Sequence, residues 1–214
     1  AHPTSNEGYG YDANGNRNIN GFVPATDNHY STDGYFTSYT YDGEGNLTRR
    51  ENGGVSEEYV WDHRQRLTEI ATKDGAGNYL KRVYFRYDAF DRRIEKLMHN
   101  YTGGVVTSAF AERYFYDGRD LLYATDGNYP DATFGRMLSR YLPGPVVDQV
   151  FADEMNSTTA DLLWVLADHQ GTARDFADNA GNIQDHLWYN AFGVPVTETN
   201  PVWSLKTASA ARRL

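Results

Sequence analysis

One short unit recurs along the chain and limits what it can fold into: an aromatic, any residue, a second aromatic, an Asp, two residues, then often Gly-Asn or an Arg. It reads Tyr9-Gly-Tyr11-Asp12-Ala-Asn-Gly15-Asn16-Arg17, and again Tyr39-Thr-Tyr41-Asp42-Gly-Glu-Gly45-Asn46-Leu47. Further copies are Tyr59-Val-Trp61-Asp62-His-Arg-Gln-Arg66-Leu67, Phe85-Arg-Tyr87-Asp88-Ala-Phe-Asp91-Arg92 and Tyr114-Phe-Tyr116-Asp117-Gly-Arg-Asp120-Leu121. Two weaker copies follow, Val165-Leu-Ala167-Asp168-His-Gln-Gly171 and Leu187-Trp-Tyr189-Asn190-Ala-Phe-Gly193.

Aromatics at alternate positions share one face of a strand, where they stack on the neighbouring unit. The Asp stands where the strand ends, and its carboxylate is expected to accept backbone N–H groups two or three residues on. A Gly three residues later supplies a positive φ angle at little steric cost. Each unit is then a β-hairpin that cannot bury its aromatic face alone, so the units stack into a quasi-one-dimensional strip. Shorter turn signals at Asp74-Gly-Ala-Gly77-Asn78, Gly103-Gly104, Asp126-Gly-Asn128 and Asp178-Asn-Ala-Gly181-Asn182 fit the far ends of the strands. The expected fold is all-β: an antiparallel hairpin-repeat strip, curved or spiralling into a partial shell, with little helix.

Composition agrees and excludes other classes. Tyr numbers 17 and Gly 20 in 214 residues, and no stretch of Ala, Leu, Lys and Glu makes a long amphipathic helix. The absence of Cys removes disulfides and thiolate metal sites. A net charge of −9 argues against nucleic acid, whose binding depends on clustered Lys and Arg. The longest unbroken apolar stretch, Leu162 to Ala167, is far shorter than the roughly 20 residues of a membrane-spanning helix. No targeting signal is visible at the start of the chain.

The units resemble the YD repeat of the Rhs and YD-repeat family, which includes bacterial Rhs proteins, wall-associated toxin proteins, the B and C subunits of Tc toxins, and teneurins. Glu112-Arg-Tyr-Phe-Tyr-Asp-Gly-Arg-Asp-Leu-Leu-Tyr123, Tyr141-Leu-Pro-Gly144, Trp164-Val-Leu-Ala-Asp-His-Gln-Gly-Thr-Ala-Arg174 and Tyr189-Asn-Ala-Phe-Gly193 also resemble the end of an Rhs core. The resemblance implies a shell of spiralling sheet that encloses a C-terminal domain, in a parent protein secreted or displayed by a bacterium. It divides the chain into YD-repeat hairpins over 1–121, end-of-core hairpins over 122–196, and a tail over 197–214 that matches no part of the pattern. The chain is expected to be a fragment of such a shell. The family's self-cleaving aspartate motif does not follow the Tyr189–Gly193 segment, so autoproteolysis is not implied.

The repeat signature residues Tyr11, Asp12, Tyr41, Asp42, Trp61, Asp62, Tyr87, Asp88, Tyr116 and Asp117 are expected to be structural, because one turn-forming role explains every copy. His63, His169 and His186 each follow an aspartate, and His is the usual general base near neutral pH. Asp168, His169 and His186 depart from the regular pattern in adjacent hairpins, and departures are where functional residues concentrate. They are the catalytic or metal-binding candidates, His as general base or ligand and Asp as orienter. Asp12 to Asn16 matches part of a calcium loop but lacks its remaining ligands. No nucleophile elbow, phosphate loop or His-Glu-x-x-His is present.

Two functions are expected from these readings. The first is a structural scaffold or interaction module, able to self-associate through open sheet edges and to present aromatic faces to carbohydrate. The second is a hydrolase of phosphoesters, esters or glycosides with a His/Asp site on the concave face. No cofactor is expected for the first; a divalent metal belongs only to the second.

Overall fold

The structure, a computed structural model, describes residues 8–127, 137–146, 149–155, 161–190, 193 and 195–198. Most of the tail expected to depart from the repeat pattern, and part of the Asp126–Asn128 turn, lie outside the described residues. The described chain is nearly all antiparallel β-sheet. Its strands are β1 (Phe22–Pro24), β2 (Tyr30–Asp33), β3 (Ser38–Tyr41), β4 (Leu47–Asn52), β5 (Val55–Trp61), β6 (Leu67–Lys73), β7 (Tyr79–Tyr87) and β8 (Arg93–Thr102). There follow β9 (Val105–Asp117), β10 (Asp120–Gly127), β11 (Met137–Pro143), β12 (Val150–Met155), β13 (Asp161–Ala167), β14 (Ala173–Ala177), β15 (Ile183–Tyr189) and β16 (Pro195–Glu198). Among the described residues the helical content is one 3₁₀ turn at Thr26–Asn28. No helix among the described residues is long and apolar enough to cross a membrane.

The chain forms two compact units, Pro3–Ala111 and Glu112–Leu214, the latter together with Ala1–His2; the division falls within β9. In the first unit β3 to β8 lie side by side in chain order, each antiparallel to the next. In the second, β10 to β16 do the same. Neither strip closes on itself.

A single turn geometry produces this order. At Asp12, Asp42, Asp62, Asp74, Asp88, Asp168 and Asp178 the backbone N–H of the Asp donates to the carbonyl four residues on. The N–H of the third residue returns to the Asp carbonyl, all at 2.8–3.3 Å. The carboxylate takes the N–H groups two and four residues on, Arg64 and Arg66 at Asp62 for example, at 2.9 and 3.0 Å. Of the two positions expected, two or three residues on, the second donates as expected; the third N–H is consumed by the main chain, which leaves the fourth for the side chain. The second carboxylate oxygen accepts the side chain at position four, Asn16, Asn46, Arg66, Asn78, Arg92 or Asn182. Where position four is Thr172, Arg174 substitutes for it at 2.9 Å.

The turn also sets the register. The residue before the Asp pairs with the fifth after it, one residue bulges, and the pairing resumes with the seventh. Thus Tyr41 faces Leu47 and Thr40 faces Arg49; Trp61 faces Leu67 and Val60 faces Glu69; Tyr87 faces Arg93 and Arg86 faces Glu95. Asn190 follows the same rule, with Tyr189 facing Pro195 and Trp188 facing Thr197. Asp117 does not: it ends β9, and Gly118-Arg119 alone join it to β10. The turn geometry of the other units is absent there, since Asp120 already lies in the returning strand.

The aromatic before the Asp has a second task. Trp61 Nε1 donates to Leu47 O at 2.8 Å, Tyr87 Oη to Leu67 O at 2.8 Å, and Tyr189 Oη to Ala173 O at 2.9 Å. Each accepting carbonyl belongs to the residue five after the preceding signature Asp. A ring with a polar tip is therefore needed at this position, which Tyr and Trp supply and Phe does not. Tyr41 uses its hydroxyl on the backbone of Tyr30 in β2, accepting from its N–H and donating to its carbonyl.

The two units are packed differently. In the first, the buried side chains are small, namely Ser56, Ala71, Val83 and Ala111. Its faces are held by cross-strand cation and aromatic contacts: Arg50 bonds Glu57 at 2.7 Å and lies 3.9 Å from the Phe36 ring. Arg82 bonds Glu69 at 2.7 Å and lies between Tyr79 and Tyr84. In the second unit Leu163, Phe176 and Leu187 make a covered cluster, with Val165, Ala173 and Tyr189 packed against it.

In the Asp turns, two positions that demand a left-handed backbone carry other residues than glycine. Gln65 has φ 58° and Asp91 φ 65°, where the other turns use Gly. The Asp91 carboxylate receives Arg64 at 2.7 Å and Arg66 at 2.8 Å from the neighbouring turn, which offsets the conformational cost. Replacing Gln65 with Gly is expected to stabilise the protein by about 1 kcal/mol. Asp91→Gly relieves the same strain but removes the carboxylate, so its gain should be smaller or reversed. Urea denaturation of the two variants side by side checks this order.

Candidate functional site

The residues singled out for chemistry are placed by these turns. His169 is exposed at the tip of the β13–β14 turn. Asp168, which opens that turn, gives its carboxylate to Gln170 N at 2.9 Å, Thr172 N at 3.1 Å and Arg174 Nε at 2.9 Å. Arg174 first, and then these backbone donors, hold its carboxyl below the ordinary Asp value. Asp168 is thus a turn aspartate like the others. The expected grouping of Asp168 with His186 does not form in this arrangement, because the carboxylate already has its donors and His186 has another partner.

His186 lies on β15 directly opposite Asp175 of β14. Its Nδ1 is paired with Asp175 Oδ1, and its ring packs edge-on against Trp188, centroids 4.6 Å apart. The pair stands on the face of the second unit opposite the Leu163–Phe176–Leu187 cluster. A carboxylate on Nδ1 fixes the ring, the relation of an orienter to a general base. Asp175 was missed by the reading of the sequence. The signal was present: counted from Asp178, the third residue before the turn meets the eighth after it, which joins Asp175 to His186. Among the described residues no group of three or more His, Asp or Glu could hold a metal ion.

The same face carries a groove of about 470 Å³, lined by Arg140, Leu142, Glu154, Leu162, Trp164 and Asn179 among others. Arg140 pairs with Glu154 across β11 and β12. Trp164 Nε1 donates to Asn179 Oδ1 at 2.9 Å, and the residue remains 39 % exposed. Asn179 is the first residue after Asp178, so a repeat turn holds the indole. In the first unit His63 lines a smaller acidic hollow of about 300 Å³ with Asp42, Glu44 and Asp62.

Seven of the ten signature residues take part in turn closure or in fastening strands. Asp12, Asp42, Asp62 and Asp88 close their turns, while Tyr41, Trp61 and Tyr87 fasten neighbouring strands. Tyr11 bridges to Arg17 and is 52 % exposed. Tyr116 and Asp117 lie at the end of β9, Asp117 exposed.

Comparisons with known proteins come from solved structures. No family model matches the chain, and no curated protein matches it. The crystal structure of TcdB2-TccC3-Cdc42 is similar over 89 % of this chain and 12 % of its own, at 15 % identity and a TM-score of 0.35. A mutated Tc holotoxin pore of Photorhabdus luminescens is similar over 90 % of this chain and 12 % of its own, at 16 % identity and a TM-score of 0.37. TcdB2-TccC3 without its hypervariable C-terminal region is similar over 90 % and 17 %, at 11 % identity and a TM-score of 0.31. The chain therefore spans less than a fifth of the length of these three solved chains.

Proposed function

We propose that the chain is a length of structural wall: a strip of β-hairpins whose task is to be a surface, in a parent protein secreted or displayed by a bacterium. The observation that carries this is the use of the repeated carboxylates. Seven aspartates spend their oxygens on closing their own turns, and three of the residues before them, Tyr41, Trp61 and Tyr87, spend their polar tips on a neighbouring strand. A residue set used this uniformly is scaffold. Edge strands of such a strip offer backbone groups to a further strand, so the reading includes self-association. Sedimentation across a wide concentration range tests that part; a strict monomer counts against it.

A second reading, hydrolysis of an ester, phosphoester or glycoside, is favoured by the His186–Asp175 pair. Purified protein assayed on chromogenic substrates of the three classes separates the two. The scaffold reading expects no turnover. Turnover abolished by His186→Ala and by Asp175→Asn, in variants that keep the wild-type circular dichroism, would replace it with the enzyme.

A further inference from the structure

We infer that the groove at Trp164 is a binding site for a neutral carbohydrate, an assignment that goes beyond the scaffold reading and stands on different residues. The floor is apolar, with Leu142 49 % exposed beside the half-open Trp164 ring and Leu162. The rim is polar, with Arg140, Glu154 and Asn179. At about 470 Å³ the groove has the size of small-molecule sites.

Three features select the ligand. First, the indole is fixed before anything binds: its N–H is held by Asn179, so little ring freedom is lost on stacking. A flat aromatic surface suits the C–H face of a pyranose, which is apolar while its edges are hydroxyl. Second, the rim offers both donors and acceptors, as hydroxyls require, yet carries no net charge, because Arg140 and Glu154 neutralise each other. An anionic or cationic ligand gains little there. Third, β12 is paired on both sides, to β11 and β13, and β13 is paired to β12 and β14. The floor thus has no free strand edge to which a peptide could add, which removes the commonest route to peptide capture.

The test uses the full chain with maltotriose, cellotriose and the trimer of N-acetylglucosamine, observed by saturation-transfer NMR and quantified by calorimetry. At least one should bind with a millimolar or tighter Kd, with transfer strongest to the ring C–H protons. Trp164→Ala should weaken it about tenfold, the loss of one stacking contact. Trp164→Phe should weaken it less. Asn179→Ala should weaken it while leaving the groove's apolar floor in place, because the ring is no longer held. Should Trp164→Ala fail to fold, the Phe and Asn179 variants decide. The inference is overturned if none of the three sugars shows transfer at tens of millimolar, if folded variants bind as the wild type does, or if a proline-rich peptide occupies the groove and the sugars do not. None of these outcomes bears on turn closure or strand association, so the scaffold reading fails or survives separately.

Discussion

Phe176→Ala should cost the second unit about 3–5 kcal/mol, the range for removing a large aromatic from a packed interior. Phe176 is fully covered, on β14, and touches a cluster built from β13 and β15, so its ring fastens three strands at once. Leu163→Ala and Leu187→Ala, at 1 % and 0 % exposure, should cost about 2–5 kcal/mol each. The first unit has no counterpart among its described residues. Its covered apolar side chains, Ala71, Val83 and Ala111, are small, so a substitution such as Val83→Ala should cost less. Urea midpoints for the four variants test the ranking. A loss for Phe176→Ala no larger than that for Val83→Ala would show that the cluster is not the main apolar anchor.

Acid should unfold the protein over a narrow range. Asp62 is held down to about 2 by Arg66 and the backbone donors of its turn. Asp12, Asp74 and Asp178 are lowered first by the asparagine four residues on, and at Asp42 and Asp88 the hydrogen bonds outweigh a desolvation that acts upward. The sign follows from linkage. A carboxyl lower in the folded than in the unfolded chain contributes stability that is complete above the unfolded value of about 3.9 and is lost as pH falls through the folded value. Stability should therefore be level down to about pH 4.5 and fall between about 4 and 2, with the Asp62 turn the last to protonate. The tyrosines act at the other end. Burial first, and then the Asp33 carboxylate, push Tyr39 up to about 12, so its contribution is complete below about 10 and is lost toward 12. Circular dichroism from neutral pH to pH 2 checks the acid limb; an unchanged urea midpoint at pH 2.5 would refute it.

The β class, the hairpin meander and the turn positions at Asp12, Asp42, Asp62, Asp88 and Asp168 were legible because each unit carries its turn chemistry in seven consecutive residues. Asp74 and Asp178 were legible as turns, yet not as the same device, since Lys73 and Ala177 stand where four of those five turns have an aromatic. Asp117 misled for the opposite reason: it has the aromatics but lacks the spacing for a five-residue turn. Cross-strand neighbours were harder. The residue that bulges after every Asp turn shifts the pairing by one, and without it Asp175 cannot be placed opposite His186. The groove at Trp164 was less legible still, since it draws on β11, β12, β13 and a turn, whose alignment no local pattern encodes.

The two margins of the first unit's strip are not equivalent, and that matters for anyone who wishes to splice a tag, reporter or foreign loop into it. One margin carries the turns at Asp42, Asp62 and Asp88, where Arg64 and Arg66 reach across to Asp91 and Trp61 and Tyr87 are fastened nearby. A segment inserted at Arg64 would sever contacts with the next hairpin. The opposite margin includes Gly103-Gly104, a two-residue turn at φ 58° and 79° with open space around both α-carbons. Added chain there would leave the pairing of β7 with β8 intact, since their register is counted from Asp88 at the other end. Gly103-Gly104 is the site at which the strip can be lengthened by design.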